Sequence, residues 1–266
     1  MRMIASDLDG TIIRPDGTIS PRTVAAFEAA RASGIHIVFV TGRPFRWLAP
    51  VSAAFGHLGT VICSNGAVVY DLEAERLIEA KTLPAASLRE VRDIVLEFEP
   101  GARFAAETTR GVHLERGFLD PAERSIVKEP EQGMPDVGVL ASEGVVKFLA
   151  KSWRTTPDAF MEEVAPHISH LVSVTHSAPS IALLEMARRD VNKSVALAGY
   201  AAELGIGAAE IMAFGDMPND VEMLGWVGHG YAMASGHRLA KEAARHLAGP
   251  LEDDGVALAI EQMLCL

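Results

Sequence analysis

The chain has 266 residues, of which 49% are apolar, so it can hold one large domain or two small ones around a sizeable core. Its formal net charge of -11 argues against nucleic acid or an anionic membrane as a partner. An acidic substrate would therefore have to be drawn in by local cations, either side chains or a metal ion.

The cysteine usage and the first residues indicate a compartment. Cys63 and Cys265 are far apart and outside any Cys/His cluster, which favours reduced thiols. The start of the chain lacks the apolar core of a signal peptide, and no apolar run is long enough for a membrane span. We therefore expect a cytoplasmic protein, and nothing in the sequence indicates its oligomeric state.

The first third of the chain alternates strand and helix patterns. "MIASDLD" is typical of a buried strand, and the helix that follows has Ser20 as its N-cap, Pro21 in its first turn and Gly34 just past its end. "IHIVFVTG" predicts a second strand, and "TVICSNGAVVYD" predicts a third that is broken by a turn at Asn65 and Gly66. This order predicts a parallel sheet with crossover helices.

The same alternation returns near the end of the chain. "IMAFGDMPNDVEMLGWVG" predicts strand, turn and helix, "GYAMA" a short strand, and "SGHRLAKEAARHLAG" a helix capped by Ser235. Between them, shorter strand-like pieces such as "VVKFLAKS" and "SIALLEMA" indicate an inserted α+β domain. We predict an α/β fold, a Rossmann-like parallel sheet core with helices on both faces, built from residues 1–82 and 189–266, with residues 83–188 as the insertion.

Two acids, Asp7 and Asp9, end the first predicted strand. Residues two apart on a strand point to the same side, and ligands of open parallel sheets bind outside the carboxyl ends of the strands. An EF-hand loop is excluded, because its glycine and its acidic ligand would fall on Ile12 and Thr18. On these residues alone, a solvated turn stays an alternative to a functional site.

A second acidic group follows the strand "EIMAF", where Asp216, Asn219 and Asp220 stand. If the two strands are neighbours, the acids converge, and carboxylates without histidine or cysteine favour Mg²⁺. An ordinary capped helix start is the alternative for this group. Thr41 with its neighbour Gly42, and Lys193, could hold an anion, although each is also a common surface feature.

Taken together and in this order, "DLDGT" at Asp7, "TGR" at Thr41, Lys193 and "GDMPND" at Asp216 resemble the motifs of the haloacid dehalogenase superfamily of phosphatases. The "SNGA" segment from Ser64 and the insertion after the third strand resemble its Cof-type branch, subfamily IIB, which has a C2B cap. The resemblance spans essentially the whole chain.

The resemblance implies a division of roles among the site residues. Asp7 would be the nucleophile, and Asp9 would protonate the leaving group and then activate water. The implied Mg²⁺ ligands are the Asp7 carboxylate, the Asp9 backbone carbonyl and Asp216, with Asp220 supporting the metal or its waters. The residues implied to bind the substrate phosphate are Thr41, Gly42, Lys193 and Asn219, and those implied to border the substrate entrance are Arg43, Asn65 and Gly66.

We therefore predict a Mg²⁺-dependent phosphatase that acts on a small phosphorylated metabolite, with sugar phosphates among the candidates. The inserted cap would sit over the strand ends and select the leaving group. A phosphomutase of the same branch is one alternative, although no arginine cluster supplies the second anion site that it needs. A non-catalytic metal- or phosphate-binding regulatory module is the other, but it would not require the acid at Asp9.

Overall fold

A computed structural model describes residues 1–56, 59–127 and 129–265 of the chain. The chain divides into two compact units. The first combines both ends of the chain, Met1–Glu79 and Asn192–Leu266, and the second is the continuous segment Ala80–Val191. No helix of the described ranges is long and apolar enough to cross a membrane.

In chain order the strands are β1 (Met3–Ser6), β2 (His36–Val40), β3 (Thr60–Cys63), β4 (Val68–Asp71), β5 (Arg76–Ala80), β6 (Arg103–Thr108), β7 (Val112–Leu114), β8 (Val145–Ser152), β9 (Val172–Thr175), β10 (Ala182–Arg188), β11 (Ile211–Gly215), β12 (His229–Met233) and β13 (His246–Ala248). The α-helices are α1 (Pro21–Ala32), α2 (Ala49–Phe55), α3 (Ala85–Phe98), α4 (Glu123–Ile126), α5 (Val137–Glu143), α6 (Pro157–Ile168), α7 (Lys193–Glu203), α8 (Val221–Trp226), α9 (Arg238–Ala243) and α10 (Gly255–Leu264).

The sheet of the first unit has the strand order β13-β12-β11-β1-β2-β3-β4-β5. Neighbouring strands from β13 to β3 run parallel, and β4 pairs antiparallel with β3. The chain leaves β1 towards β2 on one side and later returns to β11 on the other side. The carboxyl end of β1 therefore lies at the switch point where open α/β sheets bind their ligands.

Helices cover both faces of this sheet. On one face, Phe27 of α1 packs against Phe39 of β2, with ring centroids 5.6 Å apart. On the other face, Val38 of β2 shares a core with Leu197 of α7 and Leu224 of α8. Successive residues of β2 thus point to opposite helical layers, as the period of two requires. The predicted α/β fold is confirmed.

Local signals for α1 are also confirmed. The Ser20 hydroxyl oxygen accepts a hydrogen bond from the backbone N–H of Thr23, and Pro21 occupies the first helical position. The predicted cap at Ser235 is wrong: α9 begins at Arg238 with His237 as its N-cap, and it ends at Ala243, so the helix is shorter than predicted. The residues after it form β13, the edge strand of the sheet, whose hydrogen bonds to β12 replace helical ones.

The second unit is an α+β domain built on an antiparallel sheet of order β7-β6-β8-β10-β9. Its core lies on one sheet face, where Phe104 and Phe148 stack with centroids 5.4 Å apart and share a core with Val95 of α3 and Phe160 of α6. The predicted α+β character of the inserted segment is confirmed.

Candidate active site

Three carboxylates meet at the carboxyl ends of β1 and β11. The two strands are parallel neighbours with Ser6 opposite Phe214, so Asp7 and Asp216 both lie just beyond paired ends. The backbone N–H of Asp7 still donates to the Phe214 carbonyl, 2.9 Å away. One carboxylate oxygen from each of Asp7, Asp216 and Asp220 lies within 4.8 Å of the others. The structure thus brings together two acidic motifs that are about two hundred residues apart.

Lys193 brings a positive charge into this cluster. It is the first residue of α7, whose N-cap is Asn192, and it is 1% exposed. Its Nζ lies 2.5 Å from Asp7 Oδ1 and 2.7 Å from Asp220 Oδ1. With all three acids ionised, one ammonium group faces three carboxylates, so the cluster still carries an excess of negative charge.

Asp220 organises the loop that carries Asp216. Its Oδ2 accepts hydrogen bonds from the backbone N–H groups of Asp216 and Met217, each at 3.0 Å. Its other oxygen accepts from Lys193. Because both of its oxygens are engaged in this way, the Asp220 carboxylate fits a supporting position behind the other two acids.

The burial of this cluster changes the protonation of its acids. Burial, together with the charge of Asp220, raises the pKa of Asp7 to about 7 even though Lys193 opposes the shift. Burial and then the charges of Asp7 and Asp220 raise the pKa of Asp216 to about 9. For Lys193, burial lowers the pKa, but Asp220 and Asp7 outweigh burial and the net shift is upward. The three acids therefore fit a divalent cation, whose charge would offset their repulsion.

Thr11 and Gly10 of the "DLDGT" segment also shape the site, although neither is among the predicted site residues. The Thr11 hydroxyl lies 3.4 Å from Asp7 Oδ2 and 3.3 Å from Asp216 Oδ1, so it links the two acids. Gly10 has φ +75°, and a side chain there would collide with the Asp216 carboxylate. The sequence signal for both roles was the Gly10-Thr11 pair directly after Asp9. Glycine permits the tight turn that brings the Thr11 hydroxyl back to the end of β1.

The Asp9 side chain lies elsewhere. Its two oxygens accept hydrogen bonds from Arg43 Nε and Nη2, both at 2.7 Å, and more than half of the side chain is exposed. Arg43 Nη1 also donates to the Trp47 carbonyl, 3.0 Å away. The hydrogen bond to Asp9 raises the pKa of Arg43.

The other predicted anion-binding and entrance residues form a second group. Thr41 directly follows β2 and is fully buried, and Gly42 comes next. The Thr41 hydroxyl oxygen accepts a hydrogen bond from the backbone N–H of Arg43 at 3.0 Å. The Thr41 carbonyl accepts from the backbone N–H of Asn65. Asn65 Oδ1 in turn accepts from Asn219 Nδ2 at 3.0 Å.

Asn65 and Gly66, expected at the substrate entrance, are both buried. Gly66 has φ +99°, and a side chain there would collide with the Asn192 carbonyl at the start of α7. Gly66 therefore joins the third-strand turn closely to the helix that carries Lys193. The Asn65-Gly66 pair, which predicted a turn, therefore also reflects close packing against the start of α7.

A family model for haloacid dehalogenase-like hydrolases matches residues 4–260 of the chain. The chain is 25% identical to a pyridoxal phosphate phosphatase of Escherichia coli over 96% of each protein. It is 28% identical to an HMP-PP phosphatase of Serratia proteamaculans, over 88% of this chain and 84% of that protein. Among solved structures, a subclass IIB sugar phosphatase shares the fold with a TM-score of 0.82 at 21% identity, covering 100% of both chains.

Proposed function

Because the chain belongs to the haloacid dehalogenase-like hydrolases, as a Cof-type phosphatase of small phosphorylated metabolites, we propose that it hydrolyses a phosphate monoester with Mg²⁺ and forms an aspartyl-phosphate on Asp7. The observation that carries the proposal is the position of Asp7. Its carboxylate is buried, bound to Lys193 at 2.5 Å and grouped with Asp216 and Asp220. A nucleophile needs such neighbours, because an anionic oxygen must approach an anionic phosphate.

In the first step a carboxylate oxygen of Asp7 attacks phosphorus, the bond from phosphorus to the leaving oxygen breaks, and Asp9 gives that oxygen a proton. In the second step water attacks the aspartyl-phosphate, Asp9 takes a proton from the water, and the bond from phosphorus to Asp7 breaks. Phosphate leaves and both aspartates return to their starting forms. Each step is an in-line displacement in which the protein mainly positions groups and stabilises charge.

Asp9 must leave Arg43 before it can act as an acid. Both of its oxygens accept hydrogen bonds from the guanidinium, so neither is free to contact a leaving group. The pair is partly exposed, so breaking it costs little, on the order of 1 kcal/mol. We therefore propose that release from Arg43 frees the Asp9 carboxyl group for its acid and base roles.

Mg²⁺ would be held by Asp7 and Asp216, with the Asp9 backbone carbonyl as a further ligand and Asp220 in support. The ion would supply charge stabilisation to the phosphoryl oxygens. Lys193 supplies the same kind of stabilisation from the protein side, and Thr41, Gly42 and Asn219 are proposed to bind and orient the phosphoryl group. The proximity of the three carboxylates and the raised pKa values of Asp7 and Asp216 support this set.

The names of the relatives and the presence of a large inserted domain support a proposal for the substrate class. The E. coli and S. proteamaculans relatives are named for pyridoxal phosphate and HMP-PP, and a structural neighbour is named as a sugar phosphatase. We propose a substrate of similar size for this chain, with sugar phosphates included. We also propose that the second unit, Ala80–Val191, acts as the cap that selects the leaving group.

The test is phosphate release from p-nitrophenyl phosphate and from a panel of sugar and cofactor phosphates, with Mg²⁺ and with EDTA. Turnover that requires Mg²⁺ and that is highest on one group of small phosphate esters is expected. Folded protein that binds Mg²⁺ but releases no phosphate from any ester would instead support a binding module. Transfer of phosphate between positions of a sugar, without release, would support a phosphomutase.

Mg²⁺ should stabilise the protein more at alkaline than at acidic pH. The folded-state pKa values of Asp7 and Asp216, about 7 and about 9, exceed the ordinary value of 3.8. Without metal, the folded protein therefore binds more protons than the unfolded chain between about pH 4 and pH 9, and it loses stability as the pH rises through that range. Mg²⁺ needs ionised carboxylates and reverses this loss.

At Mg²⁺ concentrations about 100 times its Kd, the added stability is about 2.7 kcal/mol, which corresponds to a rise in Tm of roughly 5–10 °C. Thermal unfolding with Mg²⁺ and with EDTA, at about pH 8 and about pH 5.5, measures the difference. The rise should be clearly smaller at the acidic pH. An equal rise in Tm at both pH values would show that Asp7 and Asp216 do not bind the ion.

Asp9→Asn should slow both steps, but its effect on the first step should depend on the leaving group. Loss of a general acid or base typically costs about 10²–10⁴-fold in rate. p-Nitrophenolate leaves without a proton, so this variant should release p-nitrophenol in a rapid burst and then turn over slowly, while alkyl phosphates show no burst. Stopped-flow absorbance measures the burst. Wild-type turnover of alkyl phosphates by Asp9→Asn would contradict the acid role.

A further inference from the structure

The turn after β3 adopts a backbone conformation that most residues avoid. Ser64, Asn65 and Gly66 have φ values of 48°, 56° and 99°, and the first two are not glycines. Such conformations cost about 1–3 kcal/mol each unless the surroundings hold them. Here the backbone N–H of Ser64 donates to Arg43 and that of Asn65 donates to Thr41, so the turn is held against the end of β2.

The consequence of this turn is the position of the Asn65 side chain. Asn65 Oδ1 accepts a hydrogen bond from Asn219 Nδ2 at 3.0 Å, although the two residues are 154 positions apart. Both residues are more than nine-tenths buried. Asn219 belongs to the short 3-10 turn Pro218–Asp220, so it is held one residue from the acid that binds Lys193.

The other end of the Asn219 amide is unusual. Asn219 Oδ1 is buried and has no hydrogen-bond partner among the described residues. A buried polar atom without a partner costs free energy, which indicates that something else completes the site. An anionic phosphoryl oxygen cannot pair with this carbonyl oxygen, because it needs a donor.

A half-turn of both amides resolves the conflict. Asn65 Nδ2 would then donate to Asn219 Oδ1, so the bond between the two side chains is kept with its direction reversed. The Asn219 NH₂ group would take the place now held by its oxygen and would present a donor to the anion. Asparagine is the side chain that can do this from position 65, since it tolerates the left-handed backbone and can both donate and accept.

We propose that Asn65 is a positioning residue that sets which end of the Asn219 amide faces the phosphoryl group, and that phosphate binding turns both amides together. The proposal rests on the proposed function, in which Asn219 orients the phosphoryl group. Asn65 itself contacts Asn219, and its effect on the ligand passes through that side chain. The ligand class is a phosphate ester or inorganic phosphate.

The test uses two substitutions at position 65 that both suit a positive φ. Asn65→Gly keeps the turn and removes the partner, so the Asn219 amide becomes free to rotate. Asn65→Asp can only accept, so it holds the Asn219 NH₂ group towards position 65 and its oxygen towards the anion. The Kd of inorganic phosphate, measured by calorimetry in the presence of Mg²⁺, should rise roughly fivefold for Asn65→Gly and more than about 30-fold for Asn65→Asp.

Each substitution is repeated in an Asn219→Ala background, which itself should weaken phosphate binding roughly tenfold. In that background Asn65→Gly should have a clearly smaller effect, and Asn65→Asp should lose the part of its effect that acts through the Asn219 amide. Thermal unfolding confirms that each variant is folded. Coupling between the two positions of at least about threefold supports the proposal.

Equal effects of Asn65→Gly with and without Asn219 would overturn the proposal, because Asn65 would then act independently of Asn219. If the variants show this coupling in phosphate binding but the wild-type protein hydrolyses no phosphate ester, the amide pair is supported and the proposed function is contradicted. Wild-type protein that binds no phosphate in the presence of Mg²⁺ would overturn both.

Discussion

Replacing Asp7 with asparagine is expected to abolish phosphate release while the protein stays folded. The amide keeps the shape of the carboxylate but is not a nucleophile, and loss of a covalent nucleophile costs roughly 10⁴-fold or more in turnover. The surrounding charges support the expectation for stability. Burial and the charge of Asp220 raise the pKa of Asp7, so a neutral side chain is tolerated at this position.

Steady-state phosphate release and thermal unfolding measure the two parts of this prediction. The matched control is Asp93→Asn, which removes the same charge from an exposed position on α3 and should change neither turnover nor Tm. Acid-quenched protein incubated with labelled substrate should carry phosphate in the wild type and none in Asp7→Asn. Robust turnover by Asp7→Asn would contradict covalent catalysis at this residue.

Replacing Lys193 with methionine is expected to impair both turnover and stability. The ammonium group is buried and binds two acids, so its loss leaves Asp7 and Asp220 facing each other without a counter-charge. Breaking a buried ion pair by removing one partner typically costs about 3–5 kcal/mol. Removing a preorganised charge from the phosphoryl site is expected to reduce turnover by about 10²–10³-fold.

The loss of stability should depend on pH and on metal. The pKa of Lys193 is raised by Asp220 and Asp7, so the lysine is charged throughout the neutral range and its contribution is present there. In Lys193→Met without metal, lowering the pH protonates the acids and should recover part of the stability. Saturating Mg²⁺ should recover part of it at neutral pH as well.

The variants are compared by thermal unfolding at several pH values, with and without Mg²⁺, and by turnover. Lys241→Met is the matched control, because Lys241 is exposed on α9 and the only hydrogen bond of its side chain within the described residues is a long one to the Ala234 carbonyl. Lys193→Arg should not restore activity, since the larger guanidinium does not fit a fully buried position. A stable and active Lys193→Met protein would show that the acids are neutralised in another way.

Much of the first unit follows from local pattern. The Ser20 cap and Pro21 predict where α1 begins, because a side-chain oxygen must satisfy the first free N–H groups of a helix. The apolar runs predict β1, β2 and β11, and acids at strand ends predict a site at the edge of a parallel sheet. Where a long-range contact competes with local pattern, the prediction is weaker, as at α9, which gives way to β13.

The sequence by itself determined which chemical groups are available and at which strand ends they stand, since these depend on residue type and on the period of two. Only the tertiary structure decided which atoms meet. Lys193 lies between Asp7 and Asp220, Asp9 is bound to Arg43, and Asn65 is bound to Asn219. These pairings depend on side-chain directions and on packing between segments far apart in the chain, and no local pattern carries that information.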